Sequence, residues 1–154
     1  MKQKIYIDTS VVGGFFDKEF SDVTQALFKR LENKEVIFII SDLLRQELQD
    51  APLHVLSLLD NYESDCFEPV LLTEEAKILA EKYITENIVG KTSLEDCQHI
   101  ATATIYKADV LASWNFKHIV NLDKIKGYNS VNQKQGYSTI EIRNPKDLIR
   151  YEND

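Results

Sequence analysis

The sequence predicts an α/β fold, a three-layer α/β/α arrangement around a mostly parallel sheet of about five strands. Three observations predict it. Short apolar or alternating runs recur through the chain, at KIYID, EVIFII, CFEPVLL, DVLASW and YSTIEIR. Helical patterns separate most of these runs, which is the signature of βαβ units. The run EVIFII is continuously apolar, as in a strand covered by helices on both faces.

The elements follow in order. Lys4–Asp8 reads as a buried strand that ends in a carboxylate. Val11–Phe16 (VVGGFF) reads as a turn, because Gly13-Gly14 tolerates unusual backbone angles. Ser21 and Asp22 can cap a helix reaching about Asn33, with Val23, Ala26, Leu27 and Leu31 on one side. Glu35–Ile40 is the second strand. Ser41 then caps a helix carrying Leu43, Leu44, Glu47 and Leu48, which ends before Pro52. Pro52–Tyr62 reads as a further helical stretch. Cys66–Leu72 is a strand that Pro69 confines to an edge of the sheet. Thr73 caps a helix over Glu74–Asn87, Gly90 interrupts, and Ser93–Lys107 forms the next helix. Asp109–Trp114 is a strand. Phe116–Lys126 reads as a helix stopped by Gly127. Tyr137–Arg143 alternates as the last strand, and Asn144-Pro145 opens a short helix.

Bulk properties narrow the function. The 154 residues suit one domain spanning 1–154, with no linker or repeat. Hydrophobic residues make up 44% and charged residues 28%, ordinary for a globular chain. The two cysteines, Cys66 and Cys97, lack the spacing of a disulfide framework or a zinc site, and read as reduced packing residues. The N-terminus has no apolar signal segment, and no run approaches the ~18 apolar residues of a membrane span. A cytoplasmic protein is expected. The net charge of −7 argues against holding nucleic acid by bulk electrostatics. A cation bound by the acids would offset part of that charge.

Ligands of parallel sheets bind beyond the carboxyl ends of the strands. Asp8 stands at such an end, followed by Thr9 and Ser10, which can hydrogen-bond it or a metal-bound water. It can equally cap a turn. Glu47 sits on the helix after the second strand, and an exposed helical glutamate is the ordinary reading. Asp96 follows Ser93 by three residues, the spacing of a capping box. Asn115 follows the strand DVLASW and is either a cap or a polar group beside Asp8. His99 and His118, each lone, read as packing or hydrogen-bonding residues. Gly13-Gly14 completes no phosphate-loop pattern.

The ordered set IDTS, S-x5-E, D-x-x-HIATA and D-x-L-x-SWN-F changes that balance. It resembles the PIN-domain family, the metal-dependent ribonuclease fold of VapC-like toxins of bacterial toxin–antitoxin pairs. The resemblance runs from Ile5 to Asn144–Ile149, with IYIDTS and D-x-x-HIATA its most specific parts. It implies that Asp8, Glu47 and Asp96 bind Mg²⁺ or Mn²⁺, and that the chain is an endoribonuclease. It also implies a homodimer and an antitoxin partner. The family often has a fourth acid where this chain has Asn115, an amide that can ligate but brings no charge. Arg45, Lys91, Lys117 and His118, near these residues in sequence, are candidates for contacting RNA phosphates. A catalytically weak module that binds RNA or protein is the alternative expectation, and a protein whose acids are merely helix caps is the blander one.

Overall fold

Parallel pairing throughout defines the sheet: β1 (Gln3–Ile7) lies at its centre, between β2 (Val36–Ser41) and β4 (Val110–Ala112). β3 (Phe67–Val70) extends the sheet beyond β2 and β5 (Ile142–Arg143) beyond β4, giving the order β3-β2-β1-β4-β5. This computed structural model describes residues 1–149, so 150–154 of the expected domain lie outside the described residues. The sheet has five strands, as expected, and all four pairings are parallel rather than mostly so.

Strand periodicity builds the three layers. Successive side chains of a strand point to opposite faces. Ile5 and Ile7 pack on one face of β1 with Phe38 and Ile40 of β2, against α1 (Thr9–Gly14) and α2 (Ser21–Glu32). Tyr6 and Ile39 point the other way, into a second core. That core includes α5 (Glu74–Thr85), α6 (Leu94–Ile105) and α7 (Leu122–Lys134). α3 (Asp42–Leu48) follows β2 directly and buries Leu43, Leu44 and Leu48. α4 (Leu53–Leu56) and a 3-10 turn over Leu58–Asn61 occupy the stretch read as helical after Pro52. Pro69 lies on the edge strand β3, as its missing N–H requires.

Four local readings need correction. The segment around Gly13-Gly14 is helix α1, because the Asp8 side chain accepts from Val11 N–H and starts a helical turn before the glycines arrive. α2 begins without a capping side chain at Phe20; Asp17 instead accepts from the N–H groups of Glu19 and Phe20 in the loop before it. Residues 116–119 form a turn closed on Asn115, and the helix starts at Leu122 with Asn121 as its cap. That helix runs through Gly127, where the backbone passes so close to Ile88 that a Cβ would stand 2.8 Å from it. Gly127 is thus a packing residue and not a stop. The last strand contracts from Tyr137–Arg143 to Ile142–Arg143.

Cys66 and Cys97 are both buried and free. Burial pushes the Cys97 thiol up to about 12, so it stays protonated and inert. Among the described residues, no helix is long and apolar enough to cross a membrane.

Candidate metal centre at the carboxyl edge of the sheet

Asp8 is the first residue past β1 and is 4% exposed. Its Oδ1 accepts from the Ser10 hydroxyl at 2.6 Å and from Val11 N–H at 3.3 Å. Its Oδ2 accepts from the Ser113 hydroxyl at 2.6 Å. The cap reading of Asp8 holds: its side chain caps α1, at the rim of the central strand. Burial pushes its pKa up, against the opposing influence of His99 and the three hydrogen bonds. Ser10 does more than steady Asp8, because its oxygen also accepts from Trp114 N–H at 2.9 Å, which ties the ends of β1 and β4 together.

Asp96 lies in the first turn of α6. The expected capping box does not form there: Ser93 makes no side-chain cap bond. Burial raises the pKa of Asp96, and the charges of Asp8 and Glu47 raise it further, while His118 and His99 oppose them. Asp8, Glu47 and Asp96 thus come from β1, α3 and α6 into mutual electrostatic range.

Glu47 is not a free surface glutamate. Its Oε1 accepts from the Thr9 hydroxyl at 2.6 Å and lies 2.6 Å from His99 Nε2. Burial would raise its pKa, but the His99 and Thr9 contacts outweigh burial and hold it below the ordinary range. Neighbouring Glu95 is pushed the other way, because it hydrogen-bonds the Glu47 carboxylate and feels its charge. Glu47, Thr9, Glu95, Gln46 and Gln98 line an open groove of about 800 Å³.

Asn115 closes the turn that follows it: its Oδ1 accepts from Lys117 N–H at 3.2 Å and His118 N–H at 2.9 Å. Its own N–H donates to Ser113 Oγ at 2.9 Å, so it stays one bond removed from Asp8. His118 is near enough to Asp96 to influence it, and its buried Nδ1 has no hydrogen-bond partner. Lys117 is exposed on the same turn. Lys91 is exposed in the 3-10 turn before α6. Arg45 lines a different cleft, with Ile40, Asp60, Tyr62 and Pro69.

Sequence reasoning assigned Tyr6, Ser113 and Glu95 no role, and His99 only that of a packing or hydrogen-bonding residue, which its contacts with Tyr6 and Glu47 bear out. Their signals are positional: His99 is one helical turn after Asp96, Glu95 precedes it, Tyr6 is two residues before Asp8, and Ser113 follows β4.

The donor chemistry suits a hard divalent cation. The acids supply oxygen only; burial and then the neighbouring charges of Asp8 and Glu47 raise the pKa of Asp96, and a bound cation would oppose both. No ready-made cage exists: among the described residues, no group of three or more His, Cys, Asp or Glu side chains is placed to hold one ion. An oxygen-only donor set is the kind Mg²⁺ takes, with several of its waters retained.

No protein-family model matches the chain, and no curated protein matches it either. Solved structures do. VapBC2 from Rickettsia felis, bound to a DNA fragment from the promoter, aligns at a TM-score of 0.58 and 17% identity, over 92% of this chain and 98% of that one. Mycobacterium tuberculosis VapC20, described as a toxin that cleaves the sarcin-ricin loop, aligns at 0.58 and 11% identity, over 89% and 98%. FitAcB from Neisseria gonorrhoeae aligns at 0.58 and 14% identity, over 92% and 97%. The architecture is that of the PIN domain. Within that class, the chain is similar in fold to toxins of the VapC type, along nearly their whole length.

Proposed function

We propose that the chain is a Mg²⁺- or Mn²⁺-dependent endoribonuclease, the toxin of a toxin–antitoxin pair. The observation that carries this is a chain of contacts linking the three acids: Thr9, next to Asp8, donates to Glu47, and Glu47 meets His99, one helical turn from Asp96. The likeness in fold to VapC-type toxins supports it. By the same analogy the chain would work as a homodimer and be restrained by an antitoxin.

A bound divalent ion would polarise the phosphoryl oxygen and lower the pKa of a coordinated water. Asp8, Glu47 and Asp96 would hold that ion. Ser10 and Ser113 keep the Asp8 carboxylate aimed at the rim. Lys117 is exposed on the same turn as His118, whose charge reaches Asp96, and is the proposed contact for an RNA phosphate there. Arg45 faces another cleft and is the weakest of the proposed RNA contacts.

Purified protein should cleave total RNA in millimolar Mg²⁺ or Mn²⁺, and stop in a chelator. Asp8→Asn and Asp96→Asn should lose that cleavage while remaining folded. Equal cleavage by both variants and the wild type would remove the site from consideration.

One observation favours a second reading, a catalytically weak binding module: the Asn115 amide oxygen is already committed to the turn at 117–118. Asn115→Asp should then raise Mn²⁺ affinity and cleavage together. Unchanged values would make Asn115 a turn-former only.

A further inference from the structure

A line of buried hydrogen bonds runs beneath the acids. Tyr6 is fully buried on β1, with its hydroxyl 3.0 Å from Ser41 Oγ and 2.6 Å from His99 Nδ1. The two rings meet edge-on, with centroids 5.7 Å apart at 66°. The other nitrogen of His99, Nε2, lies 2.6 Å from Glu47 Oε1, and Thr9 donates to the same oxygen at 2.6 Å. Ser41 caps α3, the helix that carries Glu47, by accepting from Leu44 N–H.

The line therefore joins the three elements that bear the three acids. Tyr6 lies on β1 two residues before Asp8, Ser41 leads into the helix of Glu47, and His99 shares α6 with Asp96. Glutamate on a helix surface has several rotamers, and fixing one of them costs side-chain entropy. An imidazole with both nitrogens engaged has its ring plane fixed, and the partner of one nitrogen decides what the other presents. His99 is 2% exposed, so the ring cannot swing to solvent, and its Nε2 N–H donates to a carboxylate that lines the groove. A histidine serving only the core would need satisfied nitrogens, not a partner at the edge of a cleft.

We propose that His99 is a positioning residue: held by Tyr6 and Ser41, it aims the Glu47 carboxylate toward Asp8 and Asp96. This rests on the metal site proposed above. Partners of this kind around a metal site are worth about 10- to 100-fold in metal affinity.

The test is Mn²⁺ titration calorimetry on the full chain, with circular dichroism to confirm folding. His99→Leu should weaken Mn²⁺ binding by about 10- to 100-fold. His99→Gln, whose amide can still donate to Glu47, should recover most of that loss. Tyr6→Phe should lose severalfold through the freed ring. Glu47→Gln combined with His99→Leu should bind no more weakly than Glu47→Gln alone, because His99 acts through Glu47. In cleavage, His99→Leu should lower kcat and leave KM near the wild-type value.

Wild-type affinity in folded His99→Leu overturns the proposal, and so does full additivity in the double variant. If His99→Leu does not fold, unchanged affinity in both His99→Gln and Tyr6→Phe overturns it equally. If the wild type and Asp8→Asn bind Mn²⁺ alike, the metal site itself fails and takes the positioning role with it. If Asp8→Asn alone loses binding, the site stands and His99 is dismissed separately.

Discussion

Asp8 closes the first turn of α1, and the charge of the same carboxylate reaches Asp96. The fold holds it with three donors yet still raises its pKa, because burial dominates. The folded state therefore binds the Asp8 proton more tightly than the unfolded chain does. Its contribution is most favourable below the unfolded value of about 3.9 and is lost as pH rises toward the folded value. At neutral pH the ionised Asp8 is a stability cost that the site imposes. Asp8→Asn should accordingly raise the midpoint of metal-free thermal unfolding. It should also flatten the fall in stability expected as pH rises from 4. A lowered midpoint with the pH dependence intact would contradict this account. Asp8 and Asp96 could be singled out in the sequence because IDTS and D-x-x-HIATA surround them. His99 could not be given a role there, because one histidine has no spacing to read and its partners Tyr6 and Glu47 are 93 and 52 residues away.

The paired glycines show how little an element's ends reveal before packing is known. Gly-Gly suggests a turn by conformational freedom, yet both residues are helical in α1. They are there for different reasons. A Cβ on Gly14 would stand 2.7 Å from the Trp114 ring and 3.0 Å from Thr24 Oγ1, whereas one on Gly13 would meet nothing within 4 Å. Trp114 cannot retreat easily, being stacked on Phe20 at 4.2 Å and bonded through Nε1 to Thr24. Gly14→Ala should therefore destabilise by about 1–3 kcal/mol through overpacking. Gly13→Ala should stabilise by up to about 1 kcal/mol through helix propensity. Urea unfolding of the two variants reads both signs, and equal effects would refute the assignment. Gly127 follows the same logic: a stop by composition, but in the structure a close approach to Ile88. The five strands were legible because apolar runs and their alternation are local properties. The start of α7 was not, since Asn121 is one polar residue among several and only the turn closed by Asn115 separates it from β4.

At the scale of the molecule, the order of the strands sets Asp96 within electrostatic reach of Asp8 and Glu47. β1 is central, and the helices after β2 and before β4 bring Glu47 and Asp96 to its carboxyl end. Alternation in β1 assigns Ile5 and Ile7 to one core and Tyr6 to the other, so the site rests on both. A ligand that binds only the folded state stabilises it by mass action, by about 2.7 kcal/mol at a hundred times its dissociation constant. Saturating Mn²⁺ should thus raise the unfolding midpoint of the wild type and leave that of Asp8→Asn unmoved. An equal rise in both would mean that the ion binds elsewhere. The class of fold could be read from the alternation of strands and helices. The convergence of Asp96 with Asp8 could not, because it depends on how α6 packs across the sheet.

The borders of the sheet have a consequence of their own. On one side β3 carries Pro69, which has no N–H to offer a neighbour, and on the other β5 is two residues long. Exposed strand edges invite other chains to add on and seed fibres. Here both borders are poor templates, so runaway polymerisation through the sheet is disfavoured. Copies of this chain that associate would meet through their helical layers, which leaves the sheet an interior scaffold and not a point of growth.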